Sequence, residues 1–291
     1  MTYVQLSLSV IELTCFFGLL GLAYLVVLEG SGFFNLAIGP YAMMGALSVS
    51  GLVINQGLTL WLALVIGLVV VLLLAGSTEL LVVRPIERRS GGAEFPALVA
   101  VAALVFGISQ GAGLVFGRLP LPGQQVVSFP AIDLAGAFVS ASLVLIVGFA
   151  IVAFGGLTLL ARTTAFGRAL RAAGDNREAA RILGLRVDRI RLLAFIVSGG
   201  IACGAGIAFA SKGGVSYDVG LHWALLGFLA LVIGGTGSWL APLLGGFILS
   251  ITQVIVPFFI GGEFADYAVL LFALIFFGFR PQGLYVRKVR T

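Results

Sequence analysis

Long apolar runs alternate with short polar breaks along most of the chain. Runs of membrane-spanning length, about 20 residues each, read as residues 9–28, 32–54, 58–83, 95–116, 134–161, 192–211 and 239–260. Two shorter runs cover 221–233 and 267–279. The pattern predicts an all-α polytopic membrane protein, a single transmembrane domain over residues 1–291 with about eight or nine transmembrane or partly re-entrant helices. Two runs end in glycine-rich breaks, Glu29-Gly30-Ser31-Gly32 and Gly234-Gly235-Thr236-Gly237-Ser238, each followed by a proline, Pro40 or Pro242. Lipid cannot hydrogen-bond an opened backbone, so such breaks are enclosed by protein or line a wet path. Paired breaks in two halves of a chain point to a substrate path. Glu29, Asn35, Gly39, Gly234, Gly235, Gly237 and Ser238 are therefore path candidates; tight glycine packing is the alternative. Glu29 itself reads either as a membrane-edge carboxylate or as part of the path.

The polar stretches carry the second signal. Residues 162–191, RTTAFGRALRAAGDNREAARILGLRVDRIR, hold eight arginines interleaved with Asp175, Glu178 and Asp188. An island this charged lies at a membrane surface, and Lys and Arg accumulate on the cytoplasmic side. With this loop inside, alternation puts the C-terminus inside and leaves only Arg118 and Lys212 of the 17 Lys and Arg outside. The N-terminus then falls outside if both segments before Asn55 cross fully; a re-entrant early segment leaves that open. Inside the island, GRALRAA and NREAARILG read as two short amphipathic helices, the second capped by Asp175 or Asn176 and ended by Gly184. Residues 117–133 contain three prolines and read as an extended external loop.

Composition narrows the class. The chain is 60% hydrophobic and 10% charged, with a mean hydropathy of +1.16, against about 45–50% and about 25% for a soluble domain. The net charge of +5 is a topology signal rather than a nucleic-acid one, because the arginines cluster in the inward loops. Cys15 and Cys203 lie in apolar runs and read as packing residues. No phosphate loop of the form GxxxxGK[ST] occurs, the only lysines being Lys212 and Lys288. His222 is the single histidine, without HExxH, and no GxSxG elbow is present. The N-terminus lacks the basic region of a cleavable signal. The expectation is a non-enzyme that binds no metal or cofactor itself.

Four stretches resemble one family, the inner-membrane permease subunits of the branched-chain amino acid type of ABC importers. GFFNLAIGPYAMMGAL is similar to its early motif through Asn35, Gly39, Gly45 and Ala46. The stretch from Arg162 through Gly206 is the most specific, through Arg162, Thr163, Gly167, Arg168, Arg171, Ala172, Ala179, Gly184, Phe195, Gly204 and Gly206. Gly234, Gly235, Gly237, Ser238, Gly245 and Gly246 resemble its Gly-Gly-x-Gly-Ser segment, and RPQGLY its C-terminal signature. One position departs: the family often has a histidine where this chain has Ile38, which leaves urea, amides or aromatic acids open as substrates beside branched-chain amino acids.

The resemblance implies a second homologous permease, two cytoplasmic ATPases that use ATP and Mg, and an external solute-binding protein. It also implies that residues 174–184 dock on an ATPase. Gly174, Asp175, Asn176, Glu178, Ala179, Arg181 and Gly184 are the coupling candidates, with Asp175, Glu178 and Arg181 as polar contacts. A stand-alone channel or secondary carrier is the competing class.

Overall fold

The computed structural model describes residues 2–91, 93–127, 132–134, 137–280 and 282–285. Its helices follow the apolar runs: α1 Thr2–Ser31, α2 Ile38–Gln56, α3 Leu60–Ser77, α4 Arg84–Arg89, α5 Glu94–Phe116, α6 Ala141–Thr163, α7 Ala165–Asp175, α8 Arg177–Ile182, α9 Val187–Gly213, α10 Val219–Gly234, α11 Ala241–Phe259 and α12 Ala265–Phe279. Among the described residues, eight helices are long and apolar enough to cross a membrane, and α10 is a shorter ninth. The all-α polytopic expectation holds.

α1 is the axis. It runs antiparallel to α9, with Glu12 against Lys212 at one end (2.7 Å) and Gly30 against Ala194 at the other. It also runs antiparallel to α11, where Thr14 and Ser250 share a buried hydrogen bond of 2.7 Å. An interhelical bond of this kind contributes about 0.6 kcal/mol in lipid. Within its most apolar window, α1 is 83% buried and α12 only 17%. The first is therefore the protein core, while little of the chain itself covers the second. Phe16, Leu19, Leu20, Leu22 and Tyr24 fill that core. The end carrying α7 and α8 is termed the arginine end below.

Several predicted boundaries move, each for a local reason. The run expected to start at Leu134 instead begins as a two-stranded hairpin, β1 Ile132–Leu134 with β2 Ala137–Val139. α6 starts only after Ser140, whose hydroxyl caps the amide of Leu143. The first break falls later than expected. α1 continues through Ser31, whose hydroxyl donates to Val27 O (2.7 Å) and accepts from Phe33 N (3.1 Å). Gly32 then leaves the helix at φ 64°. α9 begins at Val187 rather than Leu192, so Arg189 and Arg191 ride on a membrane helix, and Lys212 lies in that helix rather than in a loop. The long third run also changes character, passing from α3 through a π-helical stretch, Thr78–Val83, into α4. Thr78 Oγ1 donates back to Leu74 O there (2.8 Å). The expected external loop is tied to the α9–α10 turn by Leu121 and Val215, whose amides and carbonyls bond reciprocally.

Candidate functional site

The arginine island folds as a surface structure. Thr164 caps α7 by accepting from Gly167 N (3.1 Å). The helix turns Leu170 and Ala173 inward, and Gly174 presses its backbone on the carbonyl of Glu29, which seats α7 on the end of α1. Of the two sequence candidates for the next cap, Asn176 fills the role: its Oδ1 accepts from Glu178 N (3.1 Å) and Ala179 N (2.9 Å). Gly184 follows α8 at φ 80°, a left-handed conformation that suits glycine. Gly174, Asn176, Glu178, Ala179, Arg181 and Gly184 all lie on the exposed surface of this knob; the side chain of Asp175 lies outside the described residues. At its tip are Ile182 and Leu183, 81% and 78% exposed. Sequence reasoning missed them, although an apolar pair between arginines was a readable signal.

Behind the knob lies a buried ion-pair box. Arg191 donates through Nε to Glu79 (2.8 Å) and through Nη1 to Glu87. Arg84 Nε reaches the other Glu79 oxygen at 3.0 Å. Glu79 is fully buried, while Arg191 and Glu87 are nearly so. Two acids against two guanidinium groups leave the box neutral, which is how charge survives inside a membrane protein. The box is anchored to the knob through Asp188. Its carbonyl accepts from Arg84 Nη2 (2.8 Å), and its carboxylate pairs with Arg88 (3.1 Å) and Arg181 (3.5 Å). Arg181 thus already has a partner within the chain. On its inner side the box lies near Tyr41, whose hydroxyl accepts from Asn35 Nδ2.

The two glycine-rich breaks differ sharply. At the first, Asn35 is fully buried. Its Oδ1 accepts from Ala37 N (3.1 Å), and its Nδ2 donates to Tyr41 Oη (3.4 Å). Phe34 stacks on Tyr24, Phe33 on Phe195, and Gly39 is pressed against the backbone of Gly220 and Ala224. Ile38 is fully buried as well. The departure from the family's histidine therefore lies in packing in this structure.

At the second break, residues from the chain's end close one side. Leu284 N donates to Ile233 O, Tyr285 N to Gly234 O and Gly237 N to Tyr285 O, at 2.9, 3.0 and 2.9 Å. Gly235, at φ 87°, faces the Tyr285 carbonyl at a distance that leaves no room for a Cβ. The other side is open. Gly237 and Ser238 line a cavity of about 200 Å³ with Leu25, Glu29, Thr158, Arg162, Arg171, Thr236, Trp239 and Leu240. The structure thus brings Glu29, Gly237 and Ser238 together, holds Gly234 and Gly235 beneath them, and leaves Asn35 and Gly39 elsewhere. It adds Thr158, Arg162 and Arg171, which sequence reasoning did not assign to a path. His222 lies near Asp266, 4.0 Å away, at an exposed position.

Comparison with known proteins agrees with this architecture. The family model described as "Branched-chain amino acid transport system / permease component" matches residues 7–279. The chain belongs to this family. It is a transport permease subunit, not an enzyme. A high-affinity branched-chain amino acid transport system permease protein, LivH of Escherichia coli K12, is 26% identical over 288 residues, covering 94% of this chain and 91% of the relative. BraD of Pseudomonas aeruginosa, described in the same words, is 26% identical over 291 residues, covering 97% and 91%. An autoinducer 2 import system permease protein, LsrC of Yersinia enterocolitica, is 37% identical over 145 residues, covering 46% and 40%. No solved structure matches the chain. The knob, both breaks and the ion-pair box all fall within the family match.

Proposed function

We propose that this chain is the translocation-pathway subunit of a binding-protein-dependent ABC importer for branched-chain amino acids or a related small polar solute. It sits in the bacterial inner membrane with the arginine end and the C-terminus in the cytoplasm. A second homologous permease completes the pore, two cytoplasmic ATPases drive it, and an external binding protein delivers the solute. The chain binds no cofactor; ATP and Mg belong to the ATPases. The observation that carries this reading is the knob: a capped helix of six residues ending in a solvent-exposed Ile-Leu pair, on a subunit of a transport family. Apolar side chains presented this way at a surface are what a partner buries. Positive charge at the same end supports the cytoplasmic orientation. The cavity holding Glu29, Gly237 and Ser238 is read as the inner part of the solute path. A different small polar solute is the second reading, favoured by the stronger but shorter identity to an autoinducer 2 import permease.

The test replaces both tip residues with aspartate, Ile182→Asp with Leu183→Asp. The doubly substituted chain is expected in the membrane at wild-type level, no longer co-purifying with the ATPase, and with solute uptake reduced at least ~10-fold. Undiminished uptake by that variant would overturn the assignment of the knob.

A further inference from the structure

A second cavity, of about 470 Å³, opens in the corner between α6 and α7. Ala161 and Arg162 line it from the end of α6, and Arg168, Arg171 and Ala172 from α7. The corner is tight because Gly167 lies on the backbone of Leu160 and Ala161, where a Cβ has no room. Arg171 braces it by donating from Nη2 to Ala161 O at 2.9 Å. Arg162 and Arg168 are exposed, and among the described residues neither makes a hydrogen bond or an ion pair. Elsewhere at this end Arg84, Arg88, Arg181 and Arg191 each meet Glu79, Glu87 or Asp188. Here three guanidinium groups surround one opening whose lining holds no acid. Like charges so placed repel one another, and an anion between them relieves it.

The surface of α6 adds a second observation. Phe154, Leu157 and Ala161 turn inward. On another face Val144, Gly148, Ile151, Gly155 and Leu159 recur every three or four residues and are exposed, and Arg162 continues the same stripe. An uncovered apolar stripe on a helix of membrane-crossing length thus runs straight into the arginine corner. We propose that this corner binds the headgroup phosphate of an anionic phospholipid whose acyl chain lies along that stripe. Arg162 and Arg168 receive the phosphodiester, with Arg171 completing the positive wall. The proposal needs α6 to cross the membrane and is independent of which solute the protein carries.

Charge and position select the ligand. The planar guanidinium is a natural fork for a phosphate. Basic pockets at the ends of membrane helices, at the level of the headgroups, are suited to anionic lipids. A zwitterionic headgroup would bring its own cation among three guanidinium groups. A free phosphate would meet the same arginines but use nothing of the apolar stripe. Arg162 and Arg171 also line the cavity beside Gly237 and Ser238, whereas Arg168 does not. Arg168 is therefore the residue whose substitution reports on this corner alone.

The experiment strips lipid from the full transporter complex in detergent and follows lipid binding by native mass spectrometry. Dioleoylphosphatidylglycerol is the anionic probe, dioleoylphosphatidylcholine the zwitterionic one with the same chains, and inorganic phosphate the competitor. Phosphatidylglycerol is expected to bind saturably, with phosphatidylcholine at least ~10-fold weaker and phosphate unable to displace it. Arg168→Gln is expected to weaken phosphatidylglycerol roughly 5-fold and leave phosphatidylcholine unchanged. Arg168→Lys, which keeps the charge, is expected to bind phosphatidylglycerol more tightly than Arg168→Gln does. Arg186→Gln removes another exposed arginine that does not line the cavity, and is expected to bind as the wild type does.

Equal binding of the two lipids would overturn the proposal. Displacement of phosphatidylglycerol by inorganic phosphate would show a site for free anions and overturn the lipid as its source. Equal losses in Arg168→Gln and Arg186→Gln would reduce the corner to diffuse surface charge, and the proposal would fall. So would an Arg168→Gln complex that binds lipid normally but no longer retains its ATPase, since the corner would then face a protein. None of these outcomes bears on solute uptake, so the importer reading stands or falls separately.

Discussion

The two glycine-rich breaks look alike in the sequence, and they are unlike in space. At the first, a buried asparagine uses its oxygen on the Ala37 amide and its nitrogen on Tyr41, while Gly39 lies against the backbone of α10. Both ends of that amide are engaged within the core. At the second, the strand-like contact with Leu284 and Tyr285 satisfies one side of the backbone, and Gly237 and Ser238 face a cavity shared with Glu29. A break in a membrane helix must have its backbone groups satisfied somehow. At the first, the Ser31 and Asn35 side chains take up the Phe33 and Ala37 amides; at the second, Gly237 and Ser238 leave one face on the cavity. The ion-pair box in turn is joined to the knob through Asp188.

Three substitutions can break or sharpen this contrast. The largest effect belongs to the box behind the closed break. Arg191→Met leaves Glu79 and Glu87 facing each other without their shared guanidinium. A loss of about 3–5 kcal/mol of stability is expected, read as a lowered thermal unfolding midpoint in detergent or as loss of folded protein. Wild-type stability in that variant would mean that the box fastens nothing. Next comes Asn35→Leu, which strands the Ala37 amide and the Tyr41 hydroxyl in the core. It is expected to destabilise by about 1–3 kcal/mol, with uptake falling only in proportion to folded protein. A normally stable variant with defective uptake would instead return Asn35 to the path. The smallest effect on folding is at the open break. Ser238→Ala removes a hydroxyl that accepts from Leu240 N at 3.3 Å, at an expected cost within about 0.5 kcal/mol. Its uptake, measured per folded molecule, is expected to fall several-fold. If Ser238→Ala and Asn35→Leu behave alike in both assays, the distinction between a closed and an open break fails.

Local features were legible because their causes are local. Apolar length gave the spans, and the arginine island marked one end. Asn176 could be named as a cap candidate because an N-cap requires only a short polar side chain two or three residues before the amides it serves. Gly184 could be named because its left-handed conformation follows the helix it ends. The start of α9 was misplaced for the opposite reason. Arg191 looked too charged for a membrane helix, and it is tolerated there only because Glu79 and Glu87, more than a hundred residues earlier, meet it.

The same limit governs the candidate site. Glu29 and Ser238 were suspected together with Asn35 and Gly39 as one path, and nothing in the order of residues showed that the first two share a cavity with Arg171 while the last two do not. By itself, the sequence determined that the chain is a bundle of membrane helices with a charged surface loop, because hydrophobicity, capping and glycine conformation act over a few residues. Only the tertiary structure decided which break closes and which stays open, and which charges neutralise one another. Those outcomes depend on which distant side chains arrive at the same place, and in a low-dielectric interior a polar group is retained only where such a partner arrives.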